Sequence, residues 1–274
     1  MECLTFSNKS DLICLKILKR PSSTIKSPYV ADCIILEDSL TSNIIEDDCE
    51  DTTKQKYLLH TPGLGCGGLV VPDKYVYGIY SSEKSKTDFT AIMSYNEDSE
   101  GIYYVGVHPM ISQKACLIYL QTKFSDFVWK CEVALSKETR IDYIGIHKTN
   151  SKKFYVEVKN AMVSYEEEKV RAERRAIFPE ASKRTVIPVS ERAFKHAHTL
   201  KDLTKKEDTF QTMLLYTVPR CDCKGGILIN PNDVSYSLAV KDAKESGVLL
   251  QGICFNFDLT GITKMIKELN VYFE

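Results

Sequence analysis

Apolar and polar positions alternate over much of the first hundred residues. The segments DLICLKIL (11–18), YVADCIIL (29–36), KYLLHT (56–61), YVYGIYSS (75–82), FTAIMSY (89–95) and GIYYVGVH (101–108) are short, rich in Ile, Val and Tyr, and bounded by turn-forming residues. That pattern predicts strands. Five or six short antiparallel strands with glycine-rich corners predict a small β-barrel, for which the OB-fold is a candidate. Between the second and third strands lies EDSLTSNIIEDDCEDTTKQK (37–56), acidic and turn-rich, which is expected to be a flexible surface loop. TPGLGCGG (61–68) looks like a phosphate loop but lacks the Gly-Lys-Ser/Thr ending and any following helix. A barrel corner that requires positive φ explains it better.

The period changes after His108–Pro109. MISQKACLIYLQTKF (110–124) carries Ile111, Ala115 and Ile118 at helical spacing, with Leu117 and Leu120 nearby, and predicts a helix. FVWKCEVAL (127–135), RIDYIGI (140–146) and KFYVEVKN (153–160) predict strands, and YEEEKVRAERRAIF (165–178) reads as a solvated, charged helix. SERAFKHAHTLKDLTK (190–205) is a more amphipathic helix opened by Ser190 as N-cap. TFQTMLLYTVPR (209–220) is a nearly continuous apolar strand. NPNDVSYSLAVKDAKESG (230–247) is a helix capped by Asn and Asp and ended by Gly247, and VLLQGICFNF (248–257) is a last buried strand. Strands alternating with helices predict an α/β second domain, and the opening hairpin makes its central sheet mixed. The expected division is therefore 1–108 for the barrel and 109–274 for the α/β domain.

Composition narrows the function classes. The 274 residues carry a formal net charge of −1, so binding to nucleic acid has to use a local basic patch. The ten cysteines are scattered, and the close pair Cys221–Cys223 has no second pair to complete a zinc site. No signal peptide is apparent, and no apolar run approaches the roughly 20 residues needed to span a bilayer. The expectation is a cytoplasmic or nuclear protein with reduced thiols and no membrane partner.

The chemistry concentrates in RIDYIGIHKTNSKKFYVEVKN (140–160). Side chains on a strand alternate faces, so Glu157 and Lys159 point one way while Val156 and Val158 point into a core. With His147 opposite Lys152 in the hairpin, Asp142 falls directly across from Glu157. Two carboxylates so placed can hold a hard divalent cation, and a neighbouring lysine can position or activate water. The competing reading is a solvated set of loosely paired charges. The following helix carries Lys195, His196 and His198; Lys195 or His196 is a candidate for the phosphate, and His198 reads as part of a solvent-facing stripe. Arg192, Lys195 and Arg220 are candidate nucleic-acid contacts, with Arg220 at a carboxyl strand end, where α/β sheets present ligands. Glu132 is a weaker further acid. Lys169, Arg171, Arg174, Arg175, Lys183 and Arg184 form a basic cluster diluted by Glu166, Glu167, Glu168 and Glu173.

Over nearly its whole length the chain resembles the sugar fermentation stimulation protein A (SfsA) family. The pieces SPYVADC, HTPGLGCGGLVVP, RIDY, VEVKN, FPEA, SERAFKH, LLYTVPR and NPNDVSYSLAVKDAKESGVLL come in the family's order. The resemblance implies an N-terminal OB-like domain, a C-terminal domain similar to PD-(D/E)XK nucleases, and DNA binding. It casts Asp142, Glu157 and Lys159 as the D…E-x-K signature. The chain departs from the family's pattern at His60–Cys66, at Lys114 where relatives tend to carry an acid, at Ala193–Phe194 within Arg192–His196, and by extra residues between FPEA and SERAFKH. The implied activity is Mg²⁺- or Mn²⁺-dependent phosphodiester hydrolysis, with Asp142 and Glu157 as metal ligands and Asp142, Glu157, Lys159, Lys195 and His196 as the catalytic set. The implied partner is DNA or RNA without strong sequence specificity, with a homodimer left open. Tyr75, Tyr77, Tyr103 and Tyr104 are candidate stacking residues of the barrel. The alternatives are a non-catalytic DNA-binding regulator that keeps the nuclease fold, or an RNA-processing nuclease.

Overall fold

β-branched and aromatic residues at alternating positions build the N-terminal half. The computed structural model describes residues 3–5, 11–36, 55–63, 66–137 and 139–274. Its first strands are β1 (Cys3–Thr5), β2 (Ile13–Lys19), β3 (Val30–Ile35), β4 (Tyr57–His60), β5 (Tyr75–Tyr80), β6 (Phe89–Asp98) and β7 (Gly101–Gly106). They belong to a unit comprising Thr5–Ile111 and Asn256–Thr263, apart from β1, whose first residues fall in the other unit. Strands β4, β3, β2, β5 and β6 are neighbours in that order, and a parallel β4–β6 pairing closes them into a five-stranded barrel. Closure leaves these strands without a free edge, and Leu15, Ile17, Ile34, Leu59, Phe89 and Met93 are fully buried. The expected positive-φ corner is present at Cys66, Gly67 and Gly68, with φ of 46°, 56° and 76°. Of the acidic loop, 37–54 lies outside the described residues, as do residues 64 and 65 of the corner.

The second unit comprises Ser112–Phe255 and Lys264–Glu274 together with the N-terminal residues up to Leu4. Its elements are α1 (Pro109–Lys123), β8 (Phe127–Ala134), β9 (Arg140–His147), β10 (Lys153–Asn160), β11 (Val163–Tyr165), β12 (Arg175–Phe178), α2 (Glu191–Thr204), β13 (Thr209–Val218), β14 (Gly226–Ile229), α3 (Val234–Glu245), β15 (Leu249–Phe257), β16 (Ile262–Leu269) and β17 (Val271–Tyr272). Five strands of the main sheet run in the order β8-β9-β10-β13-β15. β8, β9 and β10 are antiparallel, whereas β10, β13 and β15 are parallel, giving the mixed sheet expected from the opening hairpin. A smaller sheet runs β11-β12-β14-β17. Strand β13 is the core of this unit: Leu214, Tyr216 and Val218 are fully buried among Ala197 and Leu200 of α2 and Tyr236 and Val240 of α3. The Tyr216 and Tyr236 hydroxyls meet at 2.8 Å, which satisfies both polar tips inside that core.

One predicted element is different. Residues 165–178 form no helix; turns lead from β11 into β12. Glu166 takes the left-handed φ of 61°, and buried Arg174 takes backbone carbonyls that a helix would have used. Its guanidinium donates to Lys169 O (3.0 and 3.2 Å) and Glu167 O (3.0 Å). The helix caps do follow the sequence. Ser190 Oγ accepts from Ala193 N at 3.2 Å, and Gly247 ends the third helix with φ of 98°.

Asp233 caps α3 through Tyr236 N (2.9 Å) and also accepts from Val189 N (2.8 Å) in the loop before α2. The fully buried Asp233→Ala change leaves both donors unpaired. Urea denaturation is expected to show a loss of about 1–3 kcal/mol with an unchanged denaturant slope.

Candidate functional site

The hairpin has the register that its sequence predicts. His147 N donates to Lys152 O at 2.9 Å, and the ladder runs from Lys153 opposite Ile146 to Val156 opposite Tyr143. One step further, Asp142 and Glu157 face each other across β9 and β10. There the backbone ladder stops, and the Asp142 carboxylate takes over. Its Oδ2 accepts from Val158 N at 2.7 Å. This bond orients Asp142 and satisfies a buried donor where the strands part.

Glu157 and Lys159 share the face opposite Val156 and Val158, as strand alternation requires. Lys159 Nζ lies 2.6 Å from Glu157 Oε1 and 3.2 Å from His196 Nδ1. His196 reaches in from α2 and bonds the same Oε1 through Nδ1. A single Nδ1 either carries a proton for Glu157 or accepts one from Lys159, so the trio has two proton arrangements. Asp142, Glu157 and His196 are all buried. A narrow crevice lined by Thr139, Arg140, Ile141, Thr199 and Leu200 opens beside Glu157 and His196.

Charge in this pocket is unevenly compensated. Burial and then the Glu157 charge raise the Asp142 carboxyl from its ordinary 3.8 to about 6, against the opposing pull of Val158 N–H and Lys159. Burial also pushes Glu157 up, yet its bond to His196 and the Lys159 charge outweigh that, and its carboxyl is lowered. Asp142 therefore holds a negative charge that the protein's own groups do not fully stabilise. Among the described residues no three His, Cys, Asp or Glu side chains form a ready-made metal cage. Two carboxylates are nonetheless the protein contribution that Mg²⁺-type ions commonly use, with waters and substrate oxygens completing the shell. The uncompensated charge on Asp142 suits such a cation.

The remaining sequence candidates are dispersed. Lys195 sits beside His196 in sequence but on the exposed side of α2, 3.7 Å from Glu191. Successive helical positions lie about 100° apart, so Lys195 faces solvent while His196 faces Glu157. Arg192 is likewise exposed, and His198 packs against Phe194 with ring centroids 4.6 Å apart. Arg220 is buried, not surface-exposed. It grips Asp222 through Nε and Nη2 at 2.6 Å each and donates through Nη1 to Met162 O at 2.7 Å. Glu132 is exposed at the left-handed φ of 51° and pairs with Arg140 at 3.6 Å. The basic cluster is partly spent internally: Arg174 bonds Asp222, while Lys169 and Arg175 both bond Glu166. In the barrel Tyr77 packs edge-on to Tyr104, and Tyr75 and Tyr104 both pack on Tyr95, whereas Tyr103 is half-buried.

Lys114, where an acid was expected, is exposed. Helix α1 instead brings Cys116 near the site. This thiol is fully buried, and burial followed by the Asp142 charge pushes it well above its ordinary value. Its one signal in the sequence is its helical spacing from buried Ser112 and Tyr119.

Similarity to known proteins agrees with this architecture. The profile described as "Sugar fermentation stimulation protein RE domain" matches residues 108–261. No curated protein matches the sequence. The SfsA of Pyrococcus furiosus, solved in complex with Ca²⁺, is 17% identical and superposes with a TM-score of 0.71 over 98% of this chain and 99% of that one. The two share a fold, a barrel followed by the α/β unit. A repair endonuclease from Pyrococcus abyssi is 7% identical over 91% of this chain and 96% of its own, with a TM-score of 0.27, an overlap too loose to bear on function.

Because the folded Asp142 binds its proton more tightly than the unfolded chain, its contribution to stability falls as pH rises from about 4 to 6. The interval between 3.8 and about 6, at about 1.36 kcal/mol per pH unit, corresponds to roughly 3 kcal/mol. Asp142→Asn is expected to remove that fall and to be more stable than the parent at pH 7.5 in urea denaturation. Arg220→Ala, which removes the two-pronged partner of buried Asp222 and leaves it Arg174 at 3.1 Å, is expected to cost about 3 kcal/mol, against less than about 0.5 kcal/mol for Arg192→Ala.

Proposed function

The chain belongs to the SfsA family, and from that premise we propose that it binds nucleic acid and that its α/β domain hydrolyses phosphodiester bonds. Asp142 and Glu157 would hold a divalent metal, Mg²⁺ or Mn²⁺. One observation carries the reading: the hairpin register sets two buried carboxylates face to face, with Lys159 2.6 Å from one of them and the other raised to about 6 by burial and by the charge it faces. A scaffold or purely structural site gains nothing from two such carboxylates, which repel phosphate unless a cation intervenes. The Ca²⁺ bound to the Pyrococcus furiosus relative accords with a divalent ion in this fold.

The ion, when bound, would neutralise charge on the scissile phosphate and lower the pKa of a water. Asp142 is already oriented for ligation by Val158 N–H, so little rearrangement is required of it. Lys159 is positioned to orient the attacking water and to balance charge developing on the phosphate. His196 contributes differently from a phosphate contact. It bonds Glu157 and lies against Lys159, fixing both side chains and offering a site for a proton at Nδ1. The barrel provides a second surface for a nucleic-acid strand.

A non-catalytic binder is the second reading, and one observation favours it. Glu157 Oε1 is already engaged by both Lys159 and His196, as in a self-contained structural cluster. Incubating the protein with labelled single- and double-stranded DNA and RNA in Mg²⁺, Mn²⁺ or EDTA separates the two. Cleavage is expected with metal only, and Asp142→Ala and Lys159→Ala should each reduce it by at least about 100-fold. Binding insensitive to EDTA, with no substrate cleaved, would establish the binder instead.

A further inference from the structure

Between β12 and α2 the chain passes through SKRTVIPV (182–189), which exposes three apolar side chains: Val186 at 74%, Ile187 at 72% and Val189 at 51%. This loop is tightly tied down. Thr185 N donates to Asn232 O (2.7 Å), Val234 N to Thr185 O (3.0 Å), Ile187 N to Thr185 Oγ1 (3.0 Å) and Val189 N to Asp233 Oδ2 (2.8 Å). Ser235 Oγ also donates to Val186 O. Ile187 precedes Pro188, which disfavours helical backbone there. The apolar pair is thus presented at a fixed place on the N-terminal end of α3.

Its surroundings are positive. Residues 180–195 contain Lys183, Arg184, Arg192 and Lys195 against Glu180 and Glu191, so four cations less two anions leave +2 in a chain whose net charge is −1. Lys183, Arg184 and Arg192 are exposed. The loop ends at Ser190, the cap of α2, and His196 lies six residues on, about 9 Å along the helix axis at 1.5 Å per residue. Rigid apolar side chains beside exposed cations complement a polymer with an anionic backbone and flat apolar bases. Three side chains are too few for a stable protein interface, which needs about 800 Å² per partner.

We propose that loop 182–189 is a nucleic-acid contact that selects unpaired or locally opened strands. Lys183 and Arg184 meet backbone phosphates, and Val186 and Ile187 lie against base faces that a closed duplex keeps stacked. This deepens, and rests on, the reading of the α/β unit as a phosphodiester hydrolase.

The test measures anisotropy of fluorescein-labelled single-stranded, duplex and forked DNA with the full chain, in EDTA and in Ca²⁺. Two double variants are compared, V186S/I187S and K183E/R184E, both at exposed positions and both checked for an unchanged urea midpoint. The apolar variant is expected to weaken single-stranded and forked DNA by about tenfold and duplex by less than about twofold. The charge variant is expected to weaken all three and to reduce the salt slope by about 2. Unchanged affinity in both variants, with the parent binding and cleaving, overturns the loop's role and leaves the hydrolase reading standing. A parent that binds none of the three DNAs overturns both. Loss of concentration-dependent self-association in V186S/I187S, with DNA affinity unchanged, assigns the patch to a second copy of the chain and also overturns the proposal.

Discussion

Everything distinctive about this site depends on one hydrogen bond, from Val158 N to Asp142 Oδ2 at 2.7 Å. It forms where the β9–β10 ladder gives out, and it replaces a backbone acceptor with a carboxylate. The result is a buried acid pinned opposite Glu157; the bond itself favours the charged carboxylate, yet burial and the Glu157 charge still raise its pKa to about 6. A fold optimised only for stability has no use for this arrangement. Buried carboxyls with raised pKa values set against a second charge are more common at functional sites than elsewhere.

The surrounding structure supports that constraint from several directions. Strand β13 pairs with β10 in parallel, setting Leu214 beside Glu157 and Tyr216 beside Lys159, and so holds the second strand of the hairpin in the middle of the sheet. Helix α2 packs on β13 through Ala197 and Leu200, and this brings His196 onto Glu157. Caps at Ser190 and Asp233 determine where the two helices begin. Asp233 also ties down the loop that exposes Val186 and Ile187, by accepting from Val189 N. Burial, register and capping thus converge on a small group of polar side chains.

Much of this was legible in the sequence because it follows from short-range rules. The polar turn between His147 and Lys153 sets the hairpin register, period-two alternation places Glu157 with Lys159, and Ser190 marks the start of α2. What stayed hidden required tertiary information. Residues 165–178 have the charge spacing of a helix, but Arg174 is drawn into the interior by Asp222 and takes the local carbonyls. The four-residue strand β14 is too short to carry a period. Arg220 looks like a surface cation at a strand end, and only the fold reveals that Asp222 binds it in the core. Lys195 and His196 are adjacent in sequence, yet helical geometry sends one to solvent and the other into the site. Cys116, in turn, has no sequence signature apart from its helical face.

We propose that Asp142 and Glu157 together hold one divalent cation, which offsets the cost of a charged, buried Asp142. Calorimetric titration of Mn²⁺ in buffers of different ionisation enthalpy tests it directly, because it counts both ions bound and protons released. One Mn²⁺ per chain is expected, with release of a substantial fraction of a proton near pH 6, little release near pH 8, and loss of binding in Asp142→Asn. Mn²⁺ binding that is unaltered by Asp142→Asn, or no binding at either pH, would contradict it.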